Sequence, residues 1–153
     1  MTVAELFDTV LAFFAAEHWE VSPVDAQPAV SLEFQGEHGR WTCFAEIRQP
    51  YEQFLFYSIA PVQVSPERRM EMAEYLTRAN YGLPLGGFEL DLDEGDIHFK
   101  TGIDAEGEQL TQGLVKHVVY VNVIMMDRYL PGIERVAAGT SPREAIAEVE
   151  GAG

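Results

Sequence analysis

Cysteine is almost absent from this chain. Its 153 residues include one, Cys43, so a framework of intrachain disulfides is excluded. Residues 1–17 contain acidic side chains but neither Lys nor Arg, which is not the pattern of a secretory signal. Because proteins without disulfides are typical of reducing compartments, we expect a cytoplasmic protein.

Basic side chains and long apolar segments are also scarce. The 10 Lys and Arg stand against 25 Asp and Glu, which gives a formal net charge of -15 and a pI of about 4.4. A field of this sign repels phosphate backbones and anionic lipid head groups. The longest apolar run, 118–126, is interrupted by Asn122 and is far shorter than the roughly 20 residues of a membrane span. We therefore expect neither nucleic acid nor a membrane as a partner.

The sequence contains none of the motifs that specify common reactions. The nearest match to a phosphate-binding loop, 95–101, has Phe99 where the second glycine is needed. Neither a nucleophile elbow around a serine nor a dinucleotide-binding fingerprint occurs. Cys43 could pair with a distant histidine, but its neighbours supply no cation that would activate a thiol. A buried core thiol is the favoured interpretation, and we predict no catalytic residue.

Metal-binding motifs are equally weak. The acidic turn 91–96 invites comparison with a calcium loop, but aligning Gly95 with that loop's glycine puts Leu90 and Thr101 where carboxylates are required. The four histidines show none of the short spacings of a zinc site; they are His18, His38, His98 and His117. We predict a solvated hairpin turn, no metal site and no cofactor. A weak cation site in the turn stays open as the alternative.

Hydrophobic periodicity and capping residues predict one α+β domain over residues 1–153. Thr2 followed by Glu5 is a capping box, and Ser65 and Ser141 each precede a proline that can start a helix. We predict helices at 2–18, 65–80, 111–129 and 141–148, and strands at 30–35, 41–48, 53–60, 88–92 and 97–100. The β-branched segment 111–129 could also be a strand, but its length favours a helix, which Pro131 should kink or end. The order α-β-β-β-α-β-β-α, with a short final helix, predicts a five-stranded antiparallel sheet with helices.

Three phenylalanines are predicted to form an exposed cluster. Phe44 falls on the polar face of the second strand, and Phe54 and Phe56 belong to a third strand that is apolar on both faces. If helices cover only the other face, these rings stand together on an open sheet, and such a patch usually marks a binding site. We predict a binding surface of Phe44, Phe54, Phe56, Glu46 and Arg48. Glu33, Glu89, Asp91, His98 and Lys100 would complete its charged rim. The alternative is a three-layer core in which the last helix covers this face.

Besides the aromatic third strand, five short segments are distinctive: VSPE at 64–67, LTRAN at 76–80, GGFELD at 86–91, GDIHF at 95–99 and GTSPREA at 139–145. In these features the chain resembles the YbjN domain family. These segments are helix starts, a helix stop and a tight hairpin. The resemblance implies the fold of type III secretion chaperones. It also implies a cytoplasmic, often dimeric, chaperone-like or regulatory protein with no known enzyme activity.

Three functions are compatible with these features. The favoured one is a protein- or peptide-binding module that uses the three phenylalanines as anchors. The second is a small ligand-binding domain or enzyme with a pocket between the sheet and the long helix, where Glu46, Tyr57 or His98 would act. The third is a structural homodimer that pairs through the same phenylalanines.

Overall fold

The computed structural model describes residues 1–151 as a layer of helices packed on an antiparallel sheet. The helices are α1 (Val3–Ala16), α2 (Arg69–Asn80), α3 (Gln112–Ala137) and α4 (Pro142–Gly151), and a 3₁₀ turn at Pro66–Arg68 precedes α2. The strands are β1 (Ser22–Pro23), β2 (Ala29–Gln35), β3 (Arg40–Arg48), β4 (Gln53–Ile59), β5 (Gly87–Leu90) and β6 (Ile97–Asp104).

The sheet has the order β1-β2-β3-β4-β6-β5, and all neighbouring strands are antiparallel. Side chains alternate strictly between buried and accessible positions along β3 and β4. Helices α1, α2 and α3 contact the sheet, and α4 packs on α2 and α3. These contacts bury one face of the sheet. Within residues 1–151 no helix covers the other face, which we call the open face.

The predicted α+β class with an antiparallel sheet is confirmed, but the sheet has six strands and not five. The additional strand, β1, pairs Ser22 with Ser31 and Pro23 with Val30. It lies between the predicted first helix and the predicted first strand, where no element was predicted. A two-residue strand has no alternation that a sequence pattern could reveal, so this pairing was not predictable.

Helix α3 continues past Pro131 to Ala137, so the predicted end of this helix near residue 129 is wrong. Pro131 has no N–H, so the carbonyl of Asp127, four residues earlier, lacks its usual intrahelical donor. His38, in the turn between β2 and β3, places Nδ1 3.0 Å from that carbonyl oxygen. With its proton on Nδ1, this ring donates the hydrogen bond that proline cannot. A distant turn thus supplies a partner for this helix carbonyl.

The core lies between the helices and the buried sheet face. Helix α1 begins with the predicted capping box: Glu5 N donates to Thr2 Oγ1 over 3.1 Å, and Thr2 N to Glu5 Oε2 over 2.9 Å. The apolar side of α1 consists of Leu6, Val10, Phe13 and Phe14, all buried.

Within residues 1–151, none of the helices combines the length and the apolar composition that a membrane span requires.

One edge of the sheet is closed by a side chain. Asn80, at the end of α2, accepts from the backbone N–H of Phe88 over 2.7 Å and donates to its carbonyl over 3.1 Å. The amide thus occupies the place of a neighbouring strand on the outer side of β5. Strand edges that are capped in this way are poor templates for pairing with another chain.

Candidate functional site

The open face has an apolar centre on β3 and β4. Antiparallel pairing sets Phe44 opposite Tyr57. Leu55 and Ile59 flank Tyr57 on the same face, because side chains two residues apart along a strand share a face. Phe44 is 37% exposed, and the other three side chains are half-buried. We call these four residues the apolar centre.

Charged side chains of both signs surround the apolar centre. This charged rim consists of Glu33, Arg40, Glu46, Arg48, Glu89, His98, Lys100 and Asp104, which strand alternation places on the open face. Asp91, also predicted for the rim, lies in the turn that follows β5. Four of the rim groups are acidic and three are basic, so the rim has a formal charge of -1 with the histidine neutral. The chain as a whole carries -15. The open face is therefore close to neutral on a strongly acidic molecule.

Part of the rim is organised by one carboxylate. Glu89 accepts from Lys100 Nζ over 3.1 Å and lies 2.6 Å from His98 Nε2. Partial burial opposes ionisation of Glu89, but the hydrogen bonds to these two side chains outweigh it and lower its pKa. Burial, followed by the negative charge of Glu46, raises the pKa of Tyr57. The tyrosine hydroxyl therefore stays a neutral hydrogen-bond donor in the middle of the face.

Two of the predicted anchors were assigned to the wrong face. Phe54 and Phe56 are fully buried, because β4 pairs them with Ile47 and Ala45 on the helix side of the sheet. The ring of Phe56 lies 6.3 Å from that of Phe14 in α1, measured between centroids. Of the predicted binding surface, Phe44, Glu46 and Arg48 do lie on the open face. Their neighbours there are Leu55 and Tyr57, which the prediction left out.

The predicted ligand pocket between the sheet and the long helix is also wrong. That space is filled by the buried side chains of Phe56, Phe99, Val119 and Met126. The proposed acting groups Glu46, Tyr57 and His98 lie on the open face, across the sheet from α3. These three groups and α3 therefore lie on opposite sides of the sheet.

A separate groove of about 980 Å³ lies where the β2–β3 turn meets α3 and α4. Its walls include Phe34, Ile124, Pro131 and Val149, with Asp127 among the polar groups. The groove joins residues that are far apart in the sequence, so no local pattern could have indicated it.

Cys43, considered above as a nucleophile, is a core thiol. Its side chain is fully buried, and Sγ lies 3.5 Å from Ser58 Oγ, which also accepts from Trp41 Nε1 over 2.9 Å. Burial raises the pKa of the Cys43 thiol to about 12, from an ordinary value near 9.0. The thiolate, which is the reactive form, is therefore almost unpopulated at neutral pH.

We expect Cys43 to resist alkylation in the folded protein. At pH 8 the native protein should react with iodoacetamide at least about a hundredfold more slowly than the denatured protein, since burial removes both access and thiolate. Mass spectrometry of timed samples with and without denaturant measures the two rates. Equal rates in both samples would show that the thiol is accessible and that its pKa is not raised.

Comparison with known proteins identifies a family and a related fold. The YbjN family, described as "Putative bacterial sensory transduction regulator", matches residues 6–135. The crystal structure titled "Crystal structure of YbjN, a putative transcription regulator from E. coli" superposes with a TM-score of 0.62 at 12% sequence identity. The match covers 79% of this chain and 85% of that one. At 12% sequence identity, this structural similarity shows a shared fold alone. A search among curated protein sequences found no match.

Proposed function

The chain belongs to the YbjN family, and we propose that it is a non-catalytic regulatory protein that binds a protein or peptide through its open face. The family description, that of a regulator, supports a regulatory role. The observation that carries the binding proposal is the near-neutral rim around an aromatic centre, on a chain of charge -15. A partner can approach this face without the repulsion that the rest of the surface exerts on acidic molecules.

The shape and composition of the face favour a macromolecular partner over a small one. Its side chains project from a sheet surface, whereas small-molecule sites are concave and enclose their ligand. An apolar centre that contains Phe44 and Tyr57, surrounded by charged groups, has the anatomy of a protein interface. Aromatic side chains at the middle of such surfaces usually provide most of the binding energy.

The groups with shifted pKa have structural explanations. Burial in the core accounts for Cys43 and Tyr75, and the rim hydrogen bonds account for Glu89. The open face places the Glu89 carboxylate against two basic side chains, an arrangement that fixes charges in position. This pattern supports a binding surface more than a reactive one.

The proposal predicts that a charge at Phe44 strongly weakens partner binding. Introducing Glu at this position puts a carboxylate in the middle of the apolar centre, and we expect affinity for the partner to fall at least about thirtyfold, as for loss of an interface hot spot. Affinity capture from a lysate of cells that express the protein, followed by binding measurements with the captured partner, provides the readout. Phe44 is already 37% exposed, so the Phe44→Glu variant should fold.

The matched control is Tyr81→Glu. Tyr81 is an aromatic residue that is 88% exposed, just after α2, and it belongs neither to the apolar centre nor to the charged rim. Capture by this variant should equal that of the wild type. A partner set that is unchanged by Phe44→Glu, with both variants folded, would overturn the proposal.

A second copy of the chain is the other partner that this face could accept. Light scattering of the purified wild type separates the cases, because a homodimer has twice the mass of the 17.1 kDa chain. A dimer that dissociates in Phe44→Glu and persists in Tyr81→Glu would assign the face to self-association. A monomer for all three proteins leaves a different protein as the partner.

A further inference from the structure

The contact between the β2–β3 turn and helix α3 gathers several metal-ligating atoms. Glu37 and His38 belong to the turn, and Asp127 belongs to α3. One ligand atom from each of these side chains lies within 4.8 Å of the other two. The backbone carbonyl of Asp127, which lacks its intrahelical donor because of Pro131, lies 3.0 Å from His38 Nδ1. Four donor groups therefore converge at one point beside the groove.

The distances suit an ion of small radius. Zinc binds nitrogen and oxygen ligands at about 2.1 Å, and two ligands of a tetrahedral ion at that distance are about 3.4 Å apart. His38 Nδ1 and Asp127 Oδ2 are separated by 3.4 Å. Glu37 is exposed on the turn, so rotation of its side chain can bring its carboxylate to the same spacing. A metal ion would take the place of the proton on Nδ1.

The carboxylate of Asp127 is held in place by a further contact. Its Oδ1 accepts from the backbone N–H of His38 over 2.8 Å, which leaves Oδ2 directed toward the imidazole. Outer hydrogen bonds of this kind orient the ligands of metal sites. A Cβ at Gly36 would overlap Asp127 Oδ1, so glycine permits this close approach of turn and helix. The Asp127 side chain is 18% exposed and thus fixed at the base of the cluster.

The local charge also favours a cation. Within residues 1–151 neither Glu37 nor Asp127 forms an ion pair with a lysine or arginine. Two carboxylates thus face a single imidazole, on a chain whose overall charge is strongly negative. A divalent ion would neutralise both of them.

We propose that Glu37, His38 and Asp127 form a binding site for a divalent transition-metal ion, with zinc as the best match. Imidazole selects zinc and its neighbours over magnesium and calcium, and carboxylate and carbonyl oxygens complete the set. The site differs from the acidic turn 91–96, and it departs from the expectation of no metal. The ion would tie the turn to α3 at the mouth of the groove.

The test is titration of the chelator-treated full chain with zinc sulfate by isothermal calorimetry. We expect one ion per chain, and affinity at least about tenfold lower in Glu37→Gln, Asp127→Asn and His38→Ala. Asp127→Asn keeps an oxygen that can accept from His38 N–H, so it should preserve the fold. Circular dichroism of each variant checks this. Cobalt(II) as a second probe should give a visible absorption spectrum that His38→Ala removes.

Two control variants separate this site from general attraction of cations. Asp93→Asn lies in the acidic turn, and His98→Gln removes the other histidine–carboxylate pair, on the open face. Both should bind zinc like the wild type. The proposal is overturned if zinc does not bind, if the controls weaken binding as much as the site variants, or if magnesium and calcium bind as tightly as zinc.

Discussion

Replacing Asn122 with aspartate should lower the free energy of unfolding by about 3–5 kcal/mol at pH 8, the cost of an uncompensated buried charge. Asn122 lies in α3, is fully buried and points at the sheet. Its Nδ2 donates to the carbonyls of Phe56 and Phe99 over 2.9 and 2.8 Å, and to Thr101 Oγ1 over 3.1 Å. The proton of that hydroxyl is already given to the Val118 carbonyl. A carboxylate would therefore meet three acceptors and no donor.

The pH dependence of this loss has a definite sign. Burial among acceptors raises the pKa of an aspartate at this position, so the folded variant binds a proton more tightly than the unfolded chain. The loss relative to wild type should thus be smaller at pH 5, where a protonated carboxyl recovers one donor, and larger at pH 8. Urea denaturation at the two pH values measures the difference.

The matched control is Asn122→Leu, which removes the donors without adding charge and should cost about 1–3 kcal/mol at both pH values. A variant Asn122→Asp as stable as wild type at pH 8 would contradict this assignment of the amide.

Replacing Gly132 with alanine should destabilise the protein by about 3 kcal/mol, because the added methyl group overpacks the core. In an unobstructed helix the same change is favourable by up to about 1 kcal/mol. In α3, however, the new methyl group would overlap the hydroxyl of Tyr75 and come within 2.7 Å of its ring carbon Cε2. Tyr75 is fully buried and donates to the Tyr129 carbonyl over 2.9 Å. Overpacking and loss of this hydrogen bond both contribute to the cost.

Two further variants test the cause. Gly113→Ala, in the first turn of α3, would have no heavy atom closer than Thr111 Oγ1 at 3.8 Å, and stability should be unchanged or slightly higher. The pair Gly132→Ala with Tyr75→Phe should be less destabilised than the sum of the two single changes, because the hydroxyl is part of the obstruction. Additive effects would show that the Tyr75 hydroxyl is not what opposes the methyl group. Urea denaturation followed by tryptophan fluorescence gives all of these values.

Local signals predicted most of the fold. The capping box at Thr2, the alternation in β2 and β3 and the glycine-rich hairpin around β5 and β6 are patterns that depend on neighbouring residues alone. They are found where expected. The length of the β-branched segment correctly favoured a helix for α3. The contact of its Asp127 carbonyl with His38, 89 positions away, could not be predicted in this way. Long-range contacts of this kind leave no mark in a local pattern.

The binding surface was predicted only in part, for a similar reason. Strand β4 is apolar on both faces, so its alternation does not tell which side the helices cover. The register between β3 and β4 decides, because it places Phe56 beside Ala45 and Tyr57 beside Phe44. Phe44 was correctly recognised as out of place on a polar face. To identify its neighbours on that face, one must know how the strands pair, and the packing of the whole core determines that pairing.

Charge distribution connects the fold to the proposed function. The helices cover the face that carries the fully buried rings, and the face left open combines a half-buried centre with a nearly balanced rim. A chain of net charge -15 should repel most acidic proteins over the rest of its surface. Such a distribution favours association in one orientation, with the open face inward.

The most direct measurement of the central claim is photo-crosslinking from the open face. A benzoyl-phenylalanine replaces Phe44 in one protein and Tyr81 in another, and both are irradiated in the cells that express them. If the open face binds a protein, position 44 should yield a defined crosslinked adduct, either with another protein or with a second copy of the chain, and position 81 should not. Adducts from position 81 alone, or none from position 44 while the protein is folded, would contradict the account.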